Sequence, residues 1–270
     1  MAGTTGLSRR ALLRRWGLVT AALLLCGALS TVAPEPPAQP PPGAAPVASP
    51  RPKRPAAVRP PPPRQIDCHV RKCVALTFDD GPVPGTARLL DVLRAGNARA
   101  TFFVLGTQVA RHPALVRREL AEGHEVGNHT YHHVDLVRAS RAKINAELAH
   151  TQQAIRRATG VTPLLLRPPY GATDKRVSLI ARRYRMAQCL WTLDPLDWRN
   201  RDAALIERRV VRGARPGYII LLHDIHATTV AAMPGILDKL TRKGFVFVTI
   251  TELTGGHRLR PGRAYRQVRV

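Results

Sequence analysis

The sequence predicts an α/β fold with about seven parallel strands, in a sheet large enough to curl into a barrel. From Cys73 onward, short apolar segments rich in β-forming residues alternate with amphipathic helical stretches. Strands that alternate with helices typically form a parallel sheet, because each helix returns the chain to the same end of the sheet. The hydrophobic share of 44% is enough for a core and excludes a chain that is disordered throughout.

The predicted elements follow one another with short connections. The predicted strands lie at residues 73–78, 100–104, 125–127, 164–167, 187–191, 218–222 and 245–250. The predicted helices lie at residues 86–95, 113–122, 140–159, 175–183, 203–212 and 229–243. No periodicity is visible after Gly255, so we expect a folded domain over residues 65–254 and a basic C-terminal tail over residues 255–270.

Residues 1–30 resemble an export signal. Arg9 and Arg10 precede a modest apolar run, as in twin-arginine signals. The run is short for a membrane span, which takes about 20 apolar residues. We therefore expect a secreted or envelope-associated protein. An uncleaved membrane anchor and a lipoprotein modified at Cys26 are the alternatives.

Residues 31–64 are predicted to be a spacer. Nearly half of positions 34–63 are proline. A segment of this composition is extended and semi-rigid and does not pack a core of its own. It would hold the folded domain away from a membrane or extend it into a wall.

The formal net charge is +24, but more than half of the excess lies in the leader, the spacer and the tail. Binding of nucleic acid is not expected, because no helix-turn-helix, zinc-finger or base-stacking pattern accompanies the charge. Electrostatic association with an anionic cell envelope is the better interpretation of a basic exported chain. No pattern indicates an obligate protein partner.

Polar residues that could take part in catalysis or metal binding follow five of the predicted strands. They are Asp79 and Asp80, His129 and His133, Arg167, Asp194 and Asp197, and His223 and Asp224. The carboxyl ends of parallel strands share one face of the fold, and active sites are built there. These side chains are therefore predicted to meet in one site.

His129 and His133 are four residues apart, which places both on one side of the chain if the segment forms a helical turn. With a carboxylate from another segment they would form a two-histidine, one-carboxylate metal site that leaves a position open for water. Position 130 is threonine, so the HExxH pattern of zinc peptidases is missing. His132 is expected to be a surface residue.

Asp79 and Asp80 are adjacent, so their side chains would point in different directions from an extended chain. One could bind a metal ion while the other faces the water held by that ion. Gly81 and Pro82 follow directly, and a tight turn there would fix where both carboxylates point.

Five short motifs in this order resemble the signatures of the NodB-like polysaccharide deacetylases, carbohydrate esterase family 4. They are TFDDGP at 77–82, HTYHH at 129–133, RPPYG at 167–171, DPLDW at 194–198 and LLHD at 221–224. The similarity spans about residues 66–253. It implies a distorted (β/α) barrel that holds a divalent metal ion, usually zinc, with cobalt or another divalent ion as the alternative.

The resemblance also implies a role for each motif residue. Asp80, His129 and His133 would bind the metal. Asp79 would be the catalytic base and His223 the catalytic acid. Arg167 would orient Asp79, and Asp197 would hold His223. Leu222 and Trp198 would form the wall of the pocket for the acetyl methyl group. The backbone N–H of Tyr170 would help bind the oxyanion.

These roles suit the hydrolysis of an acetamide. A bound metal ion lowers the pKa of water from about 16 towards about 7 and polarises the carbonyl group. Asp79 would accept the proton of the attacking water, and Arg167 would keep Asp79 ionised and aimed. The departing amine needs a proton, which His223 would donate, and a neighbouring carboxylate such as Asp197 favours the charged imidazole.

Two cysteines, Cys68 and Cys73, flank the start of the first predicted strand. In an exported protein a local disulfide between them is expected, with two free thiols as the alternative. Cys189 lies in a predicted strand and is expected to be a buried apolar residue.

The predicted function is therefore an exported, metal-dependent N-deacetylase that acts on N-acetylglucosamine-type residues of a polymer. Peptidoglycan is the first candidate substrate and chitooligosaccharide the second. An O-acetyl xylan esterase would use the same residues. A non-catalytic wall-binding module is disfavoured because Asp79 and His223 are both present. A metallopeptidase is disfavoured because its glutamate base is missing.

Overall fold

The computed structural model describes residues 57–269 of the chain. The predicted export signal, Cys26 and residues 31–56 of the predicted spacer lie outside these described residues. Within residues 57–269, no helix is both long enough and apolar enough to cross a membrane.

The sheet contains every predicted strand and one more. The strands are β1 Lys72–Asp79, β2 Thr101–Val104, β3 Glu125–Asn128, β4 Leu165–Leu166, β5 Ala187–Cys189, β6 Ile219–His223, β7 Phe245–Phe247 and β8 Ala264–Tyr265. Their order is β6-β1-β2-β3-β4-β5-β8, β7 pairs with β1, and every pair of strands is parallel. The predicted α/β fold with a parallel sheet is confirmed.

The sheet curls because the chain after β5 returns to β6. Leu193 forms a parallel bridge with Ile220, and the Leu221 N–H donates to the Leu193 carbonyl at 2.9 Å. The Thr192 N–H donates to the Ile219 carbonyl at 3.0 Å. These bonds link the two ends of the six-strand series and give the distorted barrel, which brings the ends of β1, β3, β4 and β6 around one space.

The helices cover the outside of the sheet. They are α1 Thr86–Ala95, α2 Gly106–Arg111, α3 Pro113–Ala121, α4 Arg141–Thr159, α5 Lys175–Arg183, α6 Asp197–Asn200, α7 Ala203–Gly213, α8 Ala227–Arg242 and α9 Ile250–Leu253, with a 3₁₀ turn at Pro169–Gly171. All six predicted helices are present, and α2, α6 and α9 were not predicted. The predicted strand 245–250 is too long, because a capping box between Thr249 and Glu252 begins α9 at Ile250.

Polar side chains fix where three of the predicted helices begin. The side chains of Ser140, Asp174 and Asp202 each accept a hydrogen bond from a backbone N–H in the first turn of α4, α5 and α7. Such caps satisfy donors that have no partner within the helix. Helix α4 ends at Gly160, whose φ of 81° suits glycine.

The side chains of β1 point alternately into two core regions. Val74, Leu76 and Phe78 belong to the core between sheet and helices. Cys73 and Ala75 belong to a second cluster in the barrel interior. Because side chains alternate between the two faces of a strand, Thr77 and Asp79 also face the interior.

Two predicted boundaries differ from the structure. Residues 57–64, predicted as spacer, lie against the domain: the Val58 N–H donates to the Thr159 carbonyl at 2.8 Å, and the Arg64 N–H donates to Glu252 Oε1 at 2.8 Å. Residues after Gly255, predicted as a tail, contribute β8, in which Ala264 pairs with Gln188 of β5. The composition of both segments hid these contacts, because neither segment has a hydrophobic period.

The cysteines behave as expected. Cys68 and Cys73 form a disulfide, with their Cα atoms 5.4 Å apart. The bond joins the first turn of the domain to β1. Cys189 is a free, buried thiol in β5, and burial raises its pKa far above the usual value.

Candidate active site

The strand ends bring most of the predicted site residues together at one rim of the barrel. Asp79 ends β1 and His223 ends β6, and the two residues are partners in the register of these neighbouring strands. Arg167 follows β4, and His129 follows β3. Asp197 is the first residue of α6, which follows β5. The grouping agrees with the rule that parallel α/β folds build their sites at the carboxyl ends of the strands.

Arg167 is a fully buried cation with a fixed orientation. Its Nη1 donates to Asp79 Oδ1 at 2.7 Å and to Thr77 Oγ1 at 2.7 Å. Its Nε and Nη2 donate to the carbonyl groups of Cys189 and Leu190, at 2.8 and 3.1 Å. The planar guanidinium group therefore connects Asp79 and Thr77 of β1 to the chain at the end of β5.

Asp79 is buried, and this burial raises the pKa of its carboxyl group. The charge of Arg167 lowers the pKa, as does the charge of His223, but neither cancels the effect of burial. A carboxylate with a raised pKa holds a proton more firmly once it has accepted one. This property suits a general base.

Asp80, His129 and His133 form a possible metal site. One ligand atom from each residue lies within 4.8 Å of the others. His129 Nε2 is 3.5 Å and His133 Nε2 is 3.4 Å from Asp80 Oδ1. The opposite ring nitrogens face other groups: His129 Nδ1 lies 2.7 Å from the Arg167 carbonyl oxygen, and His133 Nδ1 lies 3.2 Å from the Tyr170 hydroxyl.

The chemistry of these donors fits a cation. Burial lowers the pKa of His129 to about 3, so its ring is neutral. Because Nδ1 faces a carbonyl oxygen, it must carry the proton, and Nε2 presents a bare lone pair towards Asp80. Asp80 Oδ1 is buried and has no hydrogen-bond partner among the described residues. Lone pairs that face each other without a proton are stabilised by a metal ion between them.

The two histidines reach this position through a loop. They were predicted to share one side of a helical turn, and that prediction is wrong. Thr130 and His133 have positive φ values of 68° and 58°, which a right-handed helix excludes. The Asn128 side chain accepts the Thr130 N–H at 2.9 Å and so fixes the start of the loop.

Glu147 of α4 holds the middle of the same loop. Its Oε2 accepts the backbone N–H groups of Tyr131 and His132, both at 2.8 Å. Its Oε1 lies 2.9 Å from His132 Nδ1 and 2.8 Å from Lys143 Nζ. His132, expected at the surface, is half exposed and pairs with Glu147.

His223 and Asp197 form a hydrogen-bonded pair. His223 Nδ1 lies 2.9 Å from Asp197 Oδ1, and the His223 N–H donates to Asp197 Oδ2 at 2.7 Å. Thr229 Oγ1 also donates to Oδ2, at 2.7 Å, so the buried carboxylate is held on both sides. Burial lowers the pKa of His223, but the hydrogen bond to Asp197 and the charges of Asp79, Asp197 and Asp80 outweigh it and raise the pKa to about 9. The imidazole is therefore protonated at neutral pH.

Leu222, predicted as a pocket wall, does not join the site. It has no exposed surface and packs with Phe78 in the core between sheet and helices. Side chains alternate along β6, so Leu221, two residues before His223, lies on the same side of the strand as His223. The period of two along the strand could have identified Leu221, rather than Leu222, as the leucine on the same side of the sheet as His223.

Two aromatic side chains stand at the rim. Tyr170 is 68% exposed and Trp198 is 46% exposed, so neither is a core residue. Tyr170 has a φ of 61° within the 3₁₀ turn, which follows Arg167 directly. Trp198 follows Asp197 in α6, and its indole Nε1 points to Asp194 Oδ2 at 3.4 Å.

Two further residues of the site were not predicted as site residues, although Thr77 is the first residue of the TFDDGP motif. Thr77 accepts one hydrogen bond from Arg167 and donates another to the Ile220 carbonyl at 2.6 Å. Glu147 lies in the middle of an amphipathic helix, where a polar residue is normally exposed, yet it is 1% exposed. Only the position of Glu147 on the buried face of its helix could have indicated a role.

The sequence matches a family model described as polysaccharide deacetylase over residues 67–189. The chain is 44% identical over 195 residues to the peptidoglycan-N-acetylglucosamine deacetylase PgdA of Listeria monocytogenes, covering 72% of this chain and 41% of the relative. It is 39% identical over 198 residues to the chitooligosaccharide deacetylase of a Bradyrhizobium strain, covering 67% of this chain and 90% of that protein. The chain thus spans about two fifths of the Listeria relative and most of the Bradyrhizobium one.

A solved structure is similar over the same region. It is a family 4 acetyl xylan esterase from Clostridium thermocellum in complex with a cobalt ion, with 35% identity and a TM-score of 0.69. The match covers 74% of this chain and all of that structure. With the parallel barrel and the Asp-His-His cluster at its rim, these similarities lead to one conclusion: the chain belongs to the polysaccharide deacetylases of carbohydrate esterase family 4.

Proposed function

We propose that the chain is an exported, metal-dependent deacetylase that hydrolyses the N-acetyl groups of N-acetylglucosamine-type residues in a polysaccharide. The observation that carries this proposal is the complete set of groups around one space. It comprises a buried carboxylate held by Arg167, a donor cluster for a metal ion, and a protonated histidine held by Asp197. Acetamide hydrolysis needs a base, an electrophilic centre and an acid, and this set provides a candidate for each.

Zinc is the proposed metal, with cobalt or another divalent ion as the alternative. Two imidazole nitrogens and one carboxylate oxygen are typical ligands of a catalytic zinc site, which keeps a further position open. When bound, the ion would supply a Lewis acid for the acetyl carbonyl group and lower the pKa of water. Asp80, His129 and His133 would hold it.

The remaining residues would move protons and bind the acetyl group. Asp79 would accept a proton from the attacking water, and Arg167 would keep its carboxylate pointed at that water. His223 would donate its proton to the departing amine, which requires the charged imidazole that Asp197 stabilises. The backbone N–H of Tyr170 would help bind the oxyanion. Leu221 and Trp198 would contact the acetyl methyl group.

Peptidoglycan is the proposed polymer, followed by chitooligosaccharide. The support comes from the Listeria and Bradyrhizobium relatives and from the exposed rings of Tyr170 and Trp198, on which a sugar can stack. Deacetylation of O-acetyl xylan is the second candidate, because the similar Clostridium structure is an acetyl xylan esterase. Export is part of the proposal, and the Cys68–Cys73 disulfide supports an oxidising location outside the cytoplasm.

The test is acetate release by the purified full-length chain, stripped with a chelator and reloaded with zinc. Peptidoglycan, N-acetylchitooligosaccharides and acetylated xylan are assayed in parallel, with Asp79→Asn as the catalytically impaired control. We expect zinc-dependent release from peptidoglycan or chitooligosaccharide, reduced at least about 100-fold in the variant, as for loss of a general base. Release from xylan alone would favour the esterase. No release from any substrate by folded, zinc-loaded protein would overturn the proposal.

A further inference from the structure

We propose that Asp224 is a positioning residue that ties the metal-binding side of the site to the acid side. Asp224 comes directly after His223, and it is 1% exposed. The proposal rests on the proposed function, because it assigns Asp224 a task within that site. Asp224 belongs to none of the groups that would touch substrate or metal.

A chain of two hydrogen bonds connects Asp224 to the loop after β1. The Val83 N–H donates to Thr86 Oγ1 at 2.9 Å. Thr86 Oγ1 in turn donates to Asp224 Oδ2. A threonine hydroxyl has one proton, so accepting from Val83 and donating to Asp224 fixes its orientation. Thr86 has no exposed surface, and water does not compete for these bonds from the outside.

The Asp224 carboxyl group also packs directly on the backbone of Gly81. A Cβ atom at Gly81 would lie 2.7 Å from Asp224 Cγ and closer still to its oxygen atoms. No side chain fits there without displacing the carboxyl group. Gly81 follows the metal ligand Asp80, so the contact sets how far that ligand's backbone lies from the His223 segment.

The Asp224–Thr86–Val83 hydrogen bonds lie just beyond the end of the pairing between β1 and β6. Strands β1 and β6 pair up to Asp79 and His223, where the backbone ladder ends. Asp80 and Asp224 are the next residues of the two chains and have left the ladder. The Asp224–Thr86–Val83 chain therefore continues the connection between the two segments past the last pair of the sheet. Without it, the loop that carries Asp80 and the segment that carries His223 could move independently.

The electrostatic setting indicates a purpose other than stability. Burial raises the pKa of Asp224 to about 7, and the charges of Asp80 and Asp79 add to the effect. Nearby Glu119 has no exposed surface, and burial raises its pKa well above the usual value. Asp224 Oδ1 and both Glu119 carboxyl oxygens have no hydrogen-bond partner among residues 57–269. Burying such groups costs free energy, so the fold would be more stable with apolar side chains in place of Asp224 and Glu119.

The experiment compares Thr86→Val with Thr86→Ser in the full-length chain. Valine has nearly the shape of threonine but no hydroxyl, whereas serine keeps the hydroxyl and loses a methyl group. Zinc affinity is measured by titrating the metal-free protein in competition with a chelator, and kcat and KM are measured for the zinc-loaded protein. We expect Thr86→Val to weaken zinc binding about tenfold, as for the loss of one buried hydrogen bond. Thr86→Ser should stay within about twofold of wild type.

A merely structural role gives a different result. It predicts that Thr86→Val lowers the unfolding temperature while zinc affinity and kcat stay within about twofold, and this outcome would overturn the proposal. So would an equal loss of zinc affinity in Thr86→Ser. If Thr86→Val does not fold, Asp224→Asn and Asp224→Ala give the same comparison, because asparagine retains an oxygen that accepts the Thr86 hydroxyl. Zinc affinity is independent of acetate release, so failure of the proposed activity leaves this test intact.

Discussion

Arg167 illustrates how one buried side chain can set the geometry of a reactive group. Its four hydrogen bonds reach Asp79, Thr77 and the carbonyl groups of two residues of the β5 region, and its guanidinium carbon lies 4.2 Å from the centre of the Phe103 ring. A buried ion pair contributes little net stability, because desolvation offsets the attraction. The value of this pair is orientation. The motif predicted that Arg167 orients Asp79, but its bonds to Thr77 and to the carbonyl groups at the end of β5 depend on the curl of the sheet and could not be read from the sequence.

The pair of His223 and Asp197 leads to a prediction about pH. An acid that donates a proton must be protonated, so the rate falls as pH rises through its pKa. Since Asp197 is among the groups that raise the pKa of His223 to about 9, Asp197→Asn should lower that pKa. The alkaline limb of kcat/KM against pH should then move to lower pH by about one unit or more, as is typical of the loss of an opposite charge at contact distance.

The matched control for this prediction is Asp194→Asn. Asp194 precedes the same short helix and contacts the Leu196 N–H and Trp198 but not His223. Its alkaline limb should coincide with that of wild type. An unchanged limb in Asp197→Asn would show that His223 is not the acid whose titration limits the rate.

At the scale of elements, the loop that carries His129 and His133 is held by α4, the next helix along the chain. Glu147 of α4 accepts two backbone N–H groups between His129 and His133. Hydrogen bonds to the charged group lower the pKa of Glu147 to about 2 against the effect of its burial, so the carboxylate is ionised. The loop therefore does not need helical structure of its own to fix the positions of His129 and His133.

The corresponding prediction is that Glu147→Ala weakens zinc binding by about 10- to 100-fold, as is typical of outer-shell partners of a metal site. The two backbone donors lose their acceptor, and the loop can relax. Lys143→Ala is the control, because Lys143 pairs with the same carboxylate but does not touch the loop. Zinc affinity is measured by chelator competition. Equal affinities in both variants would contradict the proposed role of α4.

The elements that the sequence revealed are those that show a helical period or lie in an apolar run. Helices α6 and α9 have four residues each, which is about one turn. Strand β8 has two residues between Arg263 and Arg266, whereas the equally short β4 lies in the apolar run of residues 164–166. The helical turn predicted for His129 and His133 failed for another reason. Spacing alone cannot reveal the positive φ values at Thr130 and His133.

At the scale of the whole molecule, ion pairs connect the first described residues of the domain to its C-terminal part. Glu252 has a fully buried side chain and accepts hydrogen bonds from Arg64 and Arg99, at 3.0 and 2.8 Å between the closest charged atoms. Arg64 Nη2 also donates to the Phe247 carbonyl at 2.5 Å. Through Arg64, these bonds hold residues 57–64 against β7 and α9. The proline content concealed them, because composition gives no information about a single anchoring arginine.

We predict that Arg64→Ala lowers the free energy of unfolding by about 1–3 kcal/mol, because it leaves a buried carboxylate with fewer donors. Arg99 still pairs with Glu252, so complete loss of folding is not expected. Urea unfolding of the two proteins measures the difference. Arg59→Ala is the matched control, since Arg59 lies in the same segment and is exposed. A free energy equal to that of wild type would mean that the segment does not stabilise the domain.

The proline-rich residues 57–64 have a practical consequence for handling the protein. They lie at the end of the barrel where β1 begins, since Val58 bonds to the last residue of α4 and Arg64 bonds to Phe247, which pairs with Val74 near the start of β1. The proposed catalytic groups Asp79 and His223 lie where β1 and β6 end. A group coupled directly at residue 57 would thus lie at the opposite end of the barrel from the proposed catalytic groups. A bead or a chip surface attached there would leave the face that carries these groups turned outward, whereas a group attached at residue 269 would follow the edge strand β8, next to β5.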